Sequence, residues 1–402
     1  MVFAPALWQY SPLEIVAWTF GILAGVIWLV LLLFWGRFWL CDQRLDPQAP
    51  PLTDYPSIAA LIPARNEAET LPQTLPTILE QDYPGSLTLT LIDDQSEDGT
   101  GALAQALAQN SPRLLTVLPG QPLAPGWSGK LWALEQGVRW LETQNGRPEY
   151  YLLTDADITH GPSTVRELAQ KAERESLGLV SLMALLRCQS AWERLLIPAF
   201  VFFFQLLYPF PWINNAQNPW AGAAGGCILL RREALEKIGG LAVLKTALID
   251  DCTLARQVKA AGYPLWLGLT TTTRSLRPYD SLGSVWTMVA RTAYSQLNYN
   301  PLLLLGAILG MGIVYLTAPA LVLLGLATGK VVLIALGGLV WGLTALAYGP
   351  TIRLYGLSPL WALTLPLTAL LYTFMTLDSA RRSLQGRGGA WKGRVYSAPS
   401  GE

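Results

Sequence analysis

Residues 13–35, LEIVAWTFGILAGVIWLVLLLFW, are almost wholly apolar and long enough to span a bilayer core of about 30 Å. A chain that opens this way must place everything else relative to a membrane. The flank GRFWLCDQR brings Arg37 and Arg44, with Trp35 and Trp39 suited to the interfacial belt, so the basic side and all that follows it are expected in the cytoplasm. A cleaved signal peptide fits poorly, because no basic residue precedes the run and the run is too long. Composition agrees: 51% of the 402 residues are hydrophobic and 14% are charged, where a soluble domain carries about a quarter charged residues. Three more candidate spans lie at 302–327, 331–349 and 358–378. The tail at 381–402 includes RRSLQGRGGAWKGR, whose basic character calls for the cytoplasmic side. Three full crossings would leave that tail outside, so one segment is expected to be re-entrant or interfacial, and Pro366 points to the last. The expected location is the inner (plasma) membrane, multi-pass.

Between these apolar ends the pattern changes. After residues 1–45, a Pro-rich linker at 46–56, DPQAPPLTDYP, leads into 57–272, where short β-rich runs alternate with helical ones. Strands are expected at SIAALIPA, LTLTLIDD, LLTVLP, YYLLTDAD, GLVSLMA, GCILLRR and PLWLGL. Helices are expected near 68–80, 99–109, 129–142, 162–174, 231–239 and 251–261. Such alternation gives an α/β domain with a mostly parallel sheet, and sheets of this kind bind ligands beyond the carboxyl ends of their strands. Within the domain, 193–213 is apolar all round except for Gln205 and is broken by Pro198 and Pro209. It reads as a core helix or, preferably, as a helix lying in the membrane interface. Residues 273–300 form an interfacial segment before the C-terminal spans of 301–380. The formal net charge of zero gives no support to a nucleic-acid partner. Cys41, Cys188, Cys227 and Cys252 match no metal or disulfide spacing and read as reduced thiols.

Five features fall at expected strand ends. PARNEAET (63–70) leaves a strand through Pro63 into a helix start near Glu67, with Asn66 a plain N-cap candidate. LIDDQSEDGT (91–100) ends a strand on Asp93 and Asp94, which suit nucleobase N–H and ribose hydroxyl groups or, equally, turn chemistry. PGWSGKLWAL (125–134) opens a helix at Lys130, which offers an ammonium to a phosphate or is simply a surface lysine. TDAD carries Asp155 and Asp157, an Asp-x-Asp pair able to share Mg²⁺ or Mn²⁺ with a diphosphate but weak as a motif on its own. His160, the only histidine, reads as a cap for the helix that begins near Pro162 sooner than as a ligand or base. ALIDDCTLARQVKAAG puts Asp250 and Asp251 where an apolar run turns into a helix, either as caps or as a general base. The set, in order along one α/β domain, is far rarer than any member of it.

Taken together, PARNE, DDQSEDGT, GKLWAL, TDAD, GGCILLRREALEKIGG and IDDC resemble the motif series of family 2 glycosyltransferases, inverting enzymes of the GT-A fold. LLTDADITH, VSLMALLRCQSAWERLLIPAFVFFFQLLYPF and VARTAYSQL look most like the hopene-associated glycosyltransferases. The resemblance implies a GT-A catalytic domain flanked by transmembrane helices. It assigns Asp93 and Asp94, helped by Pro63 and Glu67, to the nucleoside, and Lys130 to the diphosphate side. Asp155 and Asp157 become the metal motif, with Asp157 the better ligand. Asp251 becomes the catalytic base, beside Asp250 where the family has glutamate. The family's Gln/Arg-x-x-Arg-Trp motif is reduced to Arg291 in MVART, which speaks against polysaccharide synthesis. The implied partners are a nucleotide-sugar donor (a UDP-sugar), a divalent cation and a membrane lipid acceptor such as a hopanoid. A carotenoid, a glycerolipid, a polyprenyl phosphate, or a non-catalytic scaffold or lipid transporter are the alternatives.

Overall fold

The computed structural model describes residues 11–386 except 110, 145, 246 and 248, together with the backbone of 390, 391, 394 and 395. Most of the basic tail expected at 381–402 thus lies outside the described residues. The chain divides into two compact units. One takes Met1–Cys41, Cys188–Pro209 and Asp280–Gln385; the other takes Asp42–Arg187, Phe210–Tyr279 and Gly386–Glu402.

The second unit is built on an eight-stranded sheet. Its strands are β1 (Ile58–Ala64), β2 (Leu87–Asp93), β3 (Leu115–Pro119), β4 (Tyr150–Thr154), β5 (Ile158–Thr159), β6 (Leu179–Leu185), β7 (Cys227–Arg231) and β8 (Leu265–Ser275). They lie in the order β3-β2-β1-β4-β7-β6-β8-β5. All seven residues of β1 are buried, the unbroken apolar run of a parallel strand covered on both faces. Helices supply the cover. Gly129–Glu142 buries Leu131, Leu134, Val138 and Leu141, each such side chain contributing about 1.5–3 kcal/mol. Gly137 lets this helix approach, since a Cβ there would stand 2.8 Å from Leu61 and 2.9 Å from Ile92.

Register decides which residues share the functional edge. β1 pairs in parallel with β2 and β4, so Ala64 lies beside Asp93, and Leu61 beside Leu153, just before Thr154. β7 runs antiparallel to β4, with Thr154 opposite Cys227. Its amino end therefore arrives where the carboxyl ends of the parallel strands finish, bringing Gly225 and Gly226 with it. β5 runs antiparallel to the far end of β8, with Ile158 opposite Ser275. The sheet is mostly parallel as expected, and β7 and β5 run against the rest.

Some local expectations fail. The helix foreseen from 68 begins at Leu71 behind Thr70, and Asn66 is not its cap. Asn66 instead has φ +52° and accepts from the Glu97 N–H at 2.9 Å. Pro162 does not open the next helix; Ser163 precedes Thr164–Arg174. His160 caps nothing, because its side chain turns inward to Thr154.

The first unit is apolar. Among the described residues, five helical segments are long and apolar enough to cross a membrane: Pro12–Phe34, Ala191–Ile213, Pro301–Thr328, Val331–Leu354 and Pro359–Leu384. The first is closed by a capping box, in which Ser11 accepts from the Glu14 N–H and Glu14 accepts from the Ser11 N–H. Within this unit Asp378 accepts from the Trp286 indole at 2.8 Å, tying the helix Leu282–Ala290 to the last long helix.

Candidate active site

The ends of β1 and β2 carry loops laced together by side chains. The Asn66 N–H donates to Ser96 Oγ at 3.0 Å, Glu67 N–H to Thr100 Oγ1 at 2.9 Å and Ala68 N–H to Asp98 at 2.9 Å. Asn66 and Gln95 both sit in the left-handed region, at φ +52° and +57°. Such strain in non-glycine residues concentrates at binding loops. Asp93 is half-buried and accepts from the Ser96 N–H at 3.1 Å. Asp94 is fully buried, with Arg65 donating to its carbonyl at 2.6 Å and standing 3.9 Å from its carboxylate. Pro63 is buried inside β1, opposite Ile92.

The second cluster joins three elements. Ser128 caps the helix Gly129–Glu142 by accepting from the Leu131 N–H at 3.3 Å, which fixes Lys130 in its first turn. Lys130 Nζ reaches Asp155 at 2.6 Å, just past β4, and donates to the Gly225 carbonyl at 3.1 Å. The Gly225 N–H donates to Asp251 at 2.8 Å, and Asp251 also accepts from the Cys252 N–H at 2.7 Å. One backbone residue thus connects the lysine and the aspartate. A Cβ on Gly225 would stand 3.2 Å from both of their reactive atoms. Burial and the neighbouring Asp250 push the Asp251 carboxyl up to about 6. Burial opposes the charge on Lys130, but Asp155 and then Asp250 outweigh it and hold the ammonium above its ordinary range. Lys130, Gly225, Asp250 and Asp251 form the polar side of a cavity of about 20 Å³, closed by leucines including Leu131 and Leu244. That is room for about one water.

Loop 214–224 is anchored from beneath. Lys259 Nζ donates to the carbonyls of Ile213, Asn215 and Trp220 at 2.8, 3.1 and 2.6 Å. Ser181 Oγ bridges both backbone groups of Ala224.

Asp157 lies deeper than Asp155, at 7% exposed. Burial, then Asp155, raise its carboxyl above the ordinary range, opposed by Arg277. The Arg277 guanidinium stands 3.1 Å from Asp157 and 3.8 Å from Glu67. Arg277 is a site residue that no motif marked. His160 is buried with Nε2 2.9 Å from Thr154 Oγ1, and burial pushes its pKa down to about 4. It is a neutral brace beneath the Asp-x-Asp turn, and its backbone N–H donates to Thr77 Oγ1 at 3.0 Å.

Among the described residues no group of three or more His, Cys, Asp or Glu side chains could hold a metal alone. Asp155 and Asp157 still fit Mg²⁺ or Mn²⁺ by donor type, since such ions take oxygen ligands and commonly bind through one or two carboxylates plus substrate phosphates. Glu67, Lys130, Asp155, Asp157, Asp250 and Asp251 all lie in the α/β unit. Arg291 belongs to the apolar unit, at the end of the helix Leu282–Ala290, with Thr292 where the resembling motif has tryptophan.

The mixed eight-stranded sheet, with carboxylates at its strand ends, an Asp-x-Asp turn and a lysine at a helix start, is like that of glycosyltransferases of the GT-A type. The fold matches the mannosyltransferase PcManGT from Pyrobaculum calidifontis with a TM-score of 0.55 at 20% identity, over 88% of this chain and 99% of that one. The chain belongs to glycosyl transferase family 21, whose family pattern matches residues 18–402. A curated relative is the beta-monoglucosyldiacylglycerol synthase of Synechocystis sp. (strain ATCC 27184 / PCC 6803 / Kazusa). It is 32% identical over 92 residues, 21% of this chain. The match spans only 19% of that protein's length.

Proposed function

We propose that this glycosyltransferase moves one sugar from a nucleotide-sugar to a hydroxyl of a membrane lipid, with inversion at the anomeric carbon. The observation that carries the reading is the Lys130–Gly225–Asp251 link, which holds a cation and a base in fixed relation across one residue. Asp251 accepts the acceptor hydroxyl's proton as its oxygen forms the new bond to the anomeric carbon. The bond from that carbon to the phosphate oxygen breaks, and the pair leaves with the nucleoside diphosphate. Lys130 and the amino end of its helix face the growing negative charge. Asp155 and Asp157 would hold a divalent cation against the diphosphate, and that ion would supply further charge stabilisation. Asp93, with Asp94, Glu67 and Pro63 shaping its loops, receives the nucleoside, and the motif likeness adds Arg291 to the catalytic set.

For the donor we favour a UDP-sugar; PcManGT was solved with GDP-Man and Mn2+. The acceptor class rests on the apolar helices and on the glucosyldiacylglycerol synthase relative. The motif likeness to family 2 and to hopene-associated enzymes narrows it to a hopanoid, and a glycerolipid is the second reading. The reading places the catalytic domain in the cytoplasm at the inner membrane.

A base pushed up to about 6 must be ionised to act, so kcat/KM should fall tenfold per pH unit below about 6. A pH–rate profile with no acid limb between 5 and 7, taken as a rough window around that value, contradicts the assignment. The reading as a whole is tested with purified full-length protein and a panel of nucleotide-sugars. Slow donor hydrolysis should occur with one of them, stop on chelation and return with Mn²⁺ or Mg²⁺. Failure with every donor, or indifference to chelation, counts against it.

A further inference from the structure

Arg277 has no part in the transfer just described, yet it stands among the buried carboxylates of the donor side. Its Nε is 3.1 Å from Asp157 and its terminal nitrogen 3.8 Å from Glu67. Both carboxylates are nearly inaccessible, at 7% and 8% exposed, while the arginine side chain is 36% exposed. The arginine is delivered by register. The far end of β8 pairs with β5, and the Leu276 N–H then donates to the Asp157 carbonyl at 2.9 Å. Ser275 Oγ adds a longer contact of 3.5 Å to the same carboxylate oxygen that faces Arg277.

Buried carboxylates need a cation. A guanidinium and a divalent ion cannot both own one carboxylate oxygen, and their like charges repel at such range. The guanidinium is the partner able to leave, being partly exposed on a long stem. The carboxylate it holds is fixed by the turn.

We propose that Arg277 is a built-in counter-ion that competes with the divalent cation for Asp157. It holds the Glu67–Asp157 pair while the donor is away and yields Asp157 when the cation arrives. Arg277 is therefore a positioning residue that sets how tightly the site takes its metal. The inference rests on the reading of Asp157 as a metal-holding residue, and the test separates the two.

Mn²⁺ binding is measured without donor, by the electron paramagnetic resonance signal of free Mn²⁺, on full-length protein in detergent at a pH near 8. Arg277→Gln should bind Mn²⁺ about tenfold more tightly than wild type, from removal of one close positive charge. Arg277→Lys, which keeps the charge, should stay near wild type. Asp157→Asn should bind most weakly. Equal Mn²⁺ affinity in Arg277→Gln and wild type, or tightening in Arg277→Lys equal to that in Arg277→Gln, overturns the counter-ion role. If Asp157→Asn binds like wild type, the metal-holding role of Asp157 falls instead, and the counter-ion proposal with it. A second measurement uses wild-type protein alone. Phenylglyoxal modification of the Arg277 peptide, followed by mass spectrometry, should speed up when Mn²⁺ is added. Unchanged or slower modification contradicts displacement, whatever the variants do.

Discussion

Asp251→Asn should lower the transfer rate by about 10²–10⁴-fold, the usual worth of a positioned general base, while nucleotide binding stays close to wild type. Asparagine keeps the shape of the side chain but has no basic oxygen at neutral pH. It also has a structural cost that must be kept apart from the chemical one. Both carboxylate oxygens of Asp251 accept backbone N–H groups, from Gly225 and Cys252. An amide can accept only one of them well, so an N–H loses its partner at about 1–3 kcal/mol. A modest drop in unfolding temperature is therefore expected alongside the rate loss. Turnover like that of wild type would remove Asp251 from the mechanism. Lost nucleotide binding would show that the substitution disturbs the Gly225 strand end instead.

Asp157→Asn should cost at least about 100-fold in activity, because it removes one of two carboxylates available to a divalent ion. Raising the Mn²⁺ concentration should recover part of this loss, since Asp155 remains. The same variant takes from Arg277 its carboxylate partner at 3.1 Å and leaves Glu67 at 3.8 Å, so the metal-free protein should also lose stability. Asp155→Asn differs in a telling way. It frees Lys130 from its 2.6 Å partner and should weaken donor binding as well as turnover. An Asp157→Asn enzyme with full activity at low Mn²⁺ excludes the assigned role.

Much of this is legible in the sequence itself. Strand ends are legible because β1 and β4 are apolar runs and β2 an alternating Leu/Thr run, each broken abruptly by charge. The spacing of Asp93, Lys130, Asp155 and Asp251 marked one edge of one sheet without any knowledge of strand order. The apolar helices were equally plain, since length and hydropathy are properties of local sequence. Arg277 was invisible for a physical reason. It reaches Asp157 only because β8 pairs with β5, a two-residue strand too short to show any period. Gly225 stands just before the expected strand GCILLRR, and nothing local says that its two backbone groups join Lys130 to Asp251. That depends on β7 running antiparallel to β4. By sequence Asn66 is a candidate helix cap, because asparagine is a good one. The loop after β2 offered its side chain a better partner in the Glu97 N–H. His160 misled in the same way: a lone histidine near two aspartates suggests a helix neighbour or a ligand, and only packing shows it buried and neutral.

The central claim is that a sugar leaves a nucleotide and arrives on a lipid at the Asp251 edge of this sheet. It is tested most directly by supplying radiolabelled nucleotide-sugars to the full-length protein in vesicles of bacterial lipid and extracting the products into organic solvent. The account predicts label in a glycolipid, linked with the anomeric configuration opposite to the donor's, and none with Asp251→Asn. Label found only as free sugar, or in a glycolipid of retained configuration, would contradict it.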